Sequence, residues 1–146
     1  QPPQIFSPAR PFLLAIADSG IPSPTKATVG DVRCAWQANP QKYERLFDQI
    51  GDLVGTARAA IEAGDTRQLG ALFDQNQLLL QDLGVSLPSL EKMIVAARKT
   101  GALGAKLSGG GRGGNVVALI EAGSTERVCA ALMAAGAKRV IVTEVK

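Results

Sequence analysis

Lys106-Leu-Ser-Gly-Gly-Gly-Arg-Gly-Gly-Asn115 (KLSGGGRGGN) decides how this chain is read, because five of the six residues from Gly109 to Gly114 lack a side chain and strand-like runs, GAKLS and NVVALIE, lie on either side. The unit is therefore strand, glycine loop, strand, spanning about Gly104 to Glu121. Glycine also serves plain hairpins and linkers, but this run is short, firmly bounded and carries Arg112 inside it. Such a loop lets backbone N–H groups crowd around an anion, most often a phosphate. Known nucleotide loops do not fit. Gly109, Gly111 and Gly114 satisfy GxGxxG, but a dinucleotide site needs a helix next, and NVVALIE reads as a strand. The protein-kinase form with a trailing valine at Val116 lacks its VAIK, HRD and DFG companions, and no Gly-Lys-Ser/Thr closes the run as a Walker A loop requires.

Upstream, PFLLAIADSG reads as a buried strand ending near Gly20, followed by the turn-rich IPSPTK. Val29, Val32 and Trp36 place a helix over Lys26 to Gln37. A longer helix follows, whose stripe of Tyr43, Leu46, Phe47, Ile50, Leu53, Val54, Ala57 and Ile61 is expected to be core. Asp65 is placed to cap a third helix carrying Leu69, Leu72, Phe73, Leu79, Leu80 and Leu83, with Gly84 as its stop. Pro88 opens a fourth through Leu90, Met93, Ile94 and Ala97 to Gly101. Beyond the hairpin, Ser124 begins a short helix through Val128, Ala131 and Leu132 to Gly136, and RVIVTEV is a last strand. Strand, helices, strand, strand, helix, strand is an α+β, ferredoxin-like plan with extra helices in the first crossover, and the antiparallel sheet should be covered by helices on one face.

With 146 residues and 46% hydrophobic content, one domain with a real core is expected. Residues 1–11 (QPPQIFSPARP) read as an extended, proline-rich lead-in from an upstream domain and residues 12–146 as the domain proper; with Gln1 in place of an initiator, a fragment is expected. The net charge of +3 is spread along the chain, and one Trp, one Tyr and four Phe fall in no base-stacking pattern, so nucleic acid is not an expected partner. Without histidine, no Ser-His-Asp triad, Cys-His pair or His-ligated zinc can be built. Cys34 and Cys129 are far apart with no CxxC; they read as buried, reduced thiols and suggest a cytoplasmic location. No apolar run approaches the roughly 18 residues of a membrane span.

Three blocks carry a family likeness: DSGIPSPTKATVGDVR (Asp18 to Arg33), DQNQLLLQDLGVSLPSLEKM (Asp74 to Met93) and the glycine loop itself. Together, in this order, they resemble the C-terminal half of the mevalonate kinase family, within the GHMP kinase superfamily, whose third motif KLTGAGGGG matches the loop. Departures are Ser108 for Thr, Gly110 for Ala, Arg112 for Gly, Asn115 for Cys and Leu87 where many relatives carry His. The resemblance implies transfer of the γ-phosphoryl group of ATP, with Mg2+, to the C5 hydroxyl of mevalonate. It also implies that the GLGSSA-type phosphate loop, the catalytic aspartate and the active-site lysine belong to an N-terminal half. No catalytic residue and no metal ligand is thus assigned here; the N-terminal domain is the expected partner, a homodimer stays open, and the chain alone should be inactive.

The residues assigned next to phosphate or nucleotide are Ser108, Gly109, Gly110, Gly111, Arg112, Gly113 and Gly114; those next to substrate or phosphate are Ser23, Thr25 and Lys106. Each has a plainer reading. Thr25 suits a hydroxyl near the transferred phosphate and also a helix N-cap. Arg112 suits a phosphate or acidic partner and also a solvated loop charge. Lys26 reads as first-turn surface charge. Lys106 and Ser108 share one strand face by alternation, as cleft residues or edge polarity. Asn76 and Gln77, inside an apolar helix, read as partners for buried backbone groups. Competing functions are another GHMP kinase acting on phosphomevalonate, homoserine or a sugar, a diphosphomevalonate decarboxylase, or a non-catalytic small-molecule-binding domain.

Overall fold

A computed structural model describes residues 2–146 and contains β1 (Phe12–Asp18), α1 (Thr25–Ala38), α2 (Pro40–Ala63), α3 (Thr66–Asp82), α4 (Pro88–Lys99), β2 (Gly104–Ser108), β3 (Asn115–Ile120), α5 (Thr125–Ala134) and β4 (Arg139–Val145). The four strands form one antiparallel sheet in the order β2-β3-β1-β4. This is the ferredoxin-like arrangement with α1 to α4 in the first crossover.

Strand alternation divides the sheet into two unlike faces. Ala15 lies opposite Ala118 and Val142, and Ala105 opposite Ala118. These small residues leave room for α4 and α5, which bring Leu90, Met93, Ile94, Val128 and Leu132 onto that face with 0–1% exposure. Each large side chain buried there contributes about 1.5–3 kcal/mol relative to an exposed position.

The second face departs from expectation. It also meets helices, but only at one end, where Ala60 and Ile61 of α2 and Leu69 and Leu72 of α3 pack on Phe12, Leu14 and Leu119. The middle of α2 stands off from the sheet. Its stripe is therefore only partly core: Leu46 is buried, whereas Phe47 is 42% and Val54 60% exposed. Val29 and Trp36 of α1 are likewise exposed, and only Val32 of that triplet packs on the main core.

Helix boundaries follow local chemistry. Asp65 accepts from the Gln68 N–H at 3.0 Å, as expected of a cap, and Pro40 and Pro88 occupy first-turn positions. Thr25 does not cap α1. Pro24 holds the cap position and Thr25 is the first helical residue, with no capping hydrogen bond from a side chain. Both cysteines are free, but Cys34 is exposed and Cys129 only part-buried, because Cys34 lies on the outer side of a helix that is itself half covered.

Helix α3 seals the outer edge of β2. Gly70, Asp74 and Gln77 recur at spacings of four and three on one side of the helix. Gly70 meets Gly104 backbone to backbone; a Cβ on Gly104 would sit 2.0 Å from the Gly70 carbonyl oxygen, and one on Gly70 2.4 Å from that of Leu103. The Ala105 N–H then donates to Asp74 Oδ1 at 3.0 Å and the Leu107 N–H to Gln77 Oε1 at 2.9 Å. Arg98 Nη2 donates to the Ala105 carbonyl at 2.9 Å.

Gly70→Ala should therefore lower unfolding stability by about 1–3 kcal/mol or more, as overpacking does. Gly51→Ala, where an added methyl meets nothing within 4 Å, should raise it by up to about 1 kcal/mol through helix propensity. Urea denaturation of the two variants checks the pair; a tolerated Gly70→Ala would refute the close approach.

Candidate functional site

The glycine loop is a folded junction. Gly109, Gly111, Gly113 and Gly114 have positive φ, and so does Arg112 at 52°, a conformation that side chains rarely adopt. It is packed from two directions. A Cβ on Gly111 would meet the Val85 carbonyl oxygen at 2.3 Å, and one on Gly113 the Pro22 carbonyl oxygen at 2.6 Å. The Gly114 N–H donates to the Ile21 carbonyl at 2.8 Å, the Ser19 N–H to the Gly114 carbonyl at 3.0 Å and the Arg112 N–H to the Val85 carbonyl at 2.7 Å. The three sequence blocks singled out above, remote along the chain, thus meet here.

Two hydroxyls stand over this junction. Ser23 Oγ donates to the Gly111 carbonyl at 2.9 Å and lies 3.5 Å from Thr25 Oγ1. A Cβ on Gly110 would meet Thr25 Oγ1 at 2.8 Å and Ser23 Oγ at 3.1 Å, so any side chain there would crowd the pair. Thr25 also starts α1, whose first-turn N–H groups and dipole favour negative charge. Backbone in left-handed conformations, two hydroxyls and a helix N-terminus are chemically suited to a phosphate, and the exposed Lys26 adds positive charge to the same turn.

Arg112 takes the acidic-partner role. Its Nη1 pairs with Asp31 of α1 and its Nε donates to the Gly84 carbonyl at 3.1 Å, so the side chain ties the loop to α1 and to the turn after α3. Asp31 was missed from sequence, since it lies 81 residues away and nothing local marks it.

Lys106 and Ser108 do share a face, as alternation implied, but neither Ser23 nor Thr25 joins them there. They line a cavity of about 900 Å³ between the second sheet face and helices α2 and α3. Lys106 Nζ donates to the Leu107 carbonyl at 2.6 Å, and burial pulls its pKa below the ordinary lysine value. Gln77 satisfies backbone as expected; Asn76, 9% exposed, instead lines the cavity and makes no side-chain hydrogen bond among the described residues. Beyond Gln77, Ser86 and Gln77 both donate to Glu91 Oε1, at 2.6 and 2.7 Å. Burial alone would push the Glu91 carboxyl up, but hydrogen bonds from Ser86, Gln81 and Gln77 and the charge of Arg98 outweigh it and hold it below the usual carboxylate range. Among the described residues no three His, Cys, Asp or Glu side chains gather into a metal site.

Comparison with known proteins bears on the family and the fold. The family model of the GHMP kinases C terminal matches residues 57–138. The mevalonate kinase of Aeropyrum pernix is 35% identical over 114 residues, 78% of this chain and 35% of that protein. The crystal structure of L. major mevalonate kinase in complex with R-mevalonate superposes with a TM-score of 0.91 at 34% identity, over 96% of this chain and 44% of that one. Streptococcus pneumoniae phosphomevalonate kinase in complex with phosphomevalonate and AMPPNP shares the fold alone, with a TM-score of 0.82 at 17% identity. The chain thus spans well under half the length of these proteins.

The Lys106 ammonium is disfavoured by burial in the folded state, so it lowers stability most where folded and unfolded chains both hold the proton. The penalty fades as pH rises through the lowered folded pKa towards the ordinary 10.5. The other charged side chain lining the cavity that Lys106 enters is Arg58 from α2, which is paired with Glu62. Lys106→Met should accordingly raise the thermal midpoint at pH 7, by an amount that shrinks towards pH 10.5. Melting curves across that range check it; a gain indifferent to pH would mean the ammonium is fully solvated.

Proposed function

The chain belongs to the GHMP kinase family, whose C-terminal domain it carries, and from that premise we propose that it works as the C-terminal part of a mevalonate kinase. The observation that carries this reading is the meeting of Ser23, Thr25 and the Gly109–Gly114 loop in one place. Identity of about one third to mevalonate kinases, one of them seen with R-mevalonate, favours that substrate over others used by proteins of the same fold.

In the proposed reaction ATP, accompanied by Mg2+, supplies the γ-phosphoryl group that passes to the C5 hydroxyl of mevalonate. Such a transfer depends on positioning and charge stabilisation more than on covalent chemistry by the protein. The Thr25 hydroxyl, free of a capping bond, is available to donate to a phosphate or substrate oxygen, while Ser23 is held by the Gly111 carbonyl and orders its neighbour. The bare backbone of Gly110 allows an approaching group to reach both hydroxyls. Arg112, neutralised by Asp31, keeps the loop in place and does not itself hold the phosphate. The phosphate loop, general base and Mg2+ ligands are assigned to an N-terminal half that closes over this surface, and the 146-residue chain alone is inactive.

ADP release from ATP is measured with mevalonate, phosphomevalonate, homoserine and galactose as separate substrates, with this chain alone and joined to its upstream coding segment. Turnover should require the joined protein and mevalonate. In that protein Thr25→Ala should lower kcat on the order of 10²-fold, as removal of one transition-state donor does, with the melting temperature nearly unchanged because Thr25 is exposed. A matching loss of stability at undiminished rate would remove Thr25 from the site, and turnover with another substrate would replace mevalonate.

A further inference from the structure

We propose that the cavity between α2 and the second face of the sheet binds an anionic amphiphile, a medium-length hydrocarbon ending in one carboxylate or phosphate, with its head held by Lys106, Ser108 and Asn76. The site is separate from the Ser23–Thr25 junction and does not depend on the kinase reading.

Its size is right: about 900 Å³, within the roughly 300–1,000 Å³ of small-molecule sites. Its walls are apolar over most of their area, with Leu14 and Val117 from the sheet and Val54, Ala57, Ile61 and Phe73 from the helices. Polar groups gather at the β2 side. Lys106 and Ser108 project from one strand face, and Asn76 of α3 adds its side chain to the same lining.

Charge selects the sign of the ligand. Lys106 and Arg58 line the cavity, and among the described residues no Asp or Glu does. Arg58 is engaged by the Phe6 ring and by Glu62, so Lys106 is the cation of the lining left without an acidic partner among the described residues. Its contact with the Leu107 carbonyl leaves two of three ammonium protons for an anion, and its lowered pKa is the signature of an ammonium held among apolar groups.

The shape of α2 supports the same conclusion. Gly51 and Gly55 line the cavity within a long helix, and a Cβ on either meets nothing within 4 Å. Glycine in a helix interior is destabilising relative to alanine. Close packing does not require either glycine; what they provide is open space in front of the apolar wall.

The test is calorimetric titration of the 146-residue chain with decanoate and decyl phosphate below their micelle concentrations, with decanol and inorganic phosphate as controls. Either amphiphilic anion should bind at one site, and which is tighter assigns the head group; decanol and inorganic phosphate should bind at least about tenfold more weakly, since each lacks one half of the recognition. Lys106→Met should weaken the anion about tenfold or more, the loss expected for one charge-assisted hydrogen bond. The double variant Gly51→Leu with Gly55→Leu should abolish binding while melting at or above the parent temperature. Anion binding should weaken at alkaline pH as Lys106 deprotonates. Equal binding of decanol, indifference to Lys106→Met, or silence with all four probes in folded protein would each overturn the proposal.

Discussion

The close contact between Gly70 and Gly104 is the constraint on which the rest of this structure depends. An edge strand exposes a row of N–H and C=O groups that must find partners or remain in water. Here the outward N–H groups of Ala105 and Leu107 are satisfied by Asp74 and Gln77, side chains that reach only because the helix axis has come in to glycine distance. Loss of either partner would leave a buried N–H unsatisfied, at a cost of about 1–3 kcal/mol. Because Asp74 and Gln77 lie one turn apart, they also fix the register of β2 along α3. A slip of one residue would turn Ala105 and Leu107 out of the main core.

That register carries directly to the site. Ser108 ends β2, so the glycine loop is launched from a point set by α3, and α3 ends in the turn whose Gly84 and Val85 carbonyls receive the loop. Helix and loop are thus held at both ends of the same span. The loop tolerates its left-handed backbone, including Arg112, because packing from Val85, Ile21 and Pro22 over-determines it. Arg112 is the one residue of the loop that adds side-chain bonds, and its pairing with Asp31 recruits α1 to the same junction. A plain glycine there would lower the φ cost and lose the tie.

Much of this was legible beforehand, for identifiable reasons. Period-two and period-3.6 patterns gave the element order, Asp65 and Pro88 marked helix starts, and alternation placed Lys106 and Ser108 on one face. Gln77 stood out as a polar residue in an apolar stripe, and it does hold backbone. Other features resisted. Periodicity shows which side of α2 is apolar but not how far the helix stands from the sheet, so it marks Phe47 and Val54 as core although both are exposed. Thr25 follows a turn in the pattern of a cap, yet Pro24 takes that position and frees the hydroxyl. The Arg112–Asp31 pair and the contact of Gly110 with Thr25 join distant segments that no local rule connects.

Strand β2 therefore has three uses within five residues. Ala105 and Leu107 point into the main core, their own N–H groups hold α3, and Lys106 and Ser108 point the other way into a cavity that the helices leave open. The two sides are mechanically joined, because a rigid extended strand cannot move one set of side chains without the other. Any ligand pressing on Lys106 and Ser108 acts on the strand from which the glycine loop departs, and the loop is in turn packed on Thr25. The cavity and the hydroxyl junction are lined by different residues but share one short element. The Gly70–Gly104 contact limits how far that element can shift relative to α3.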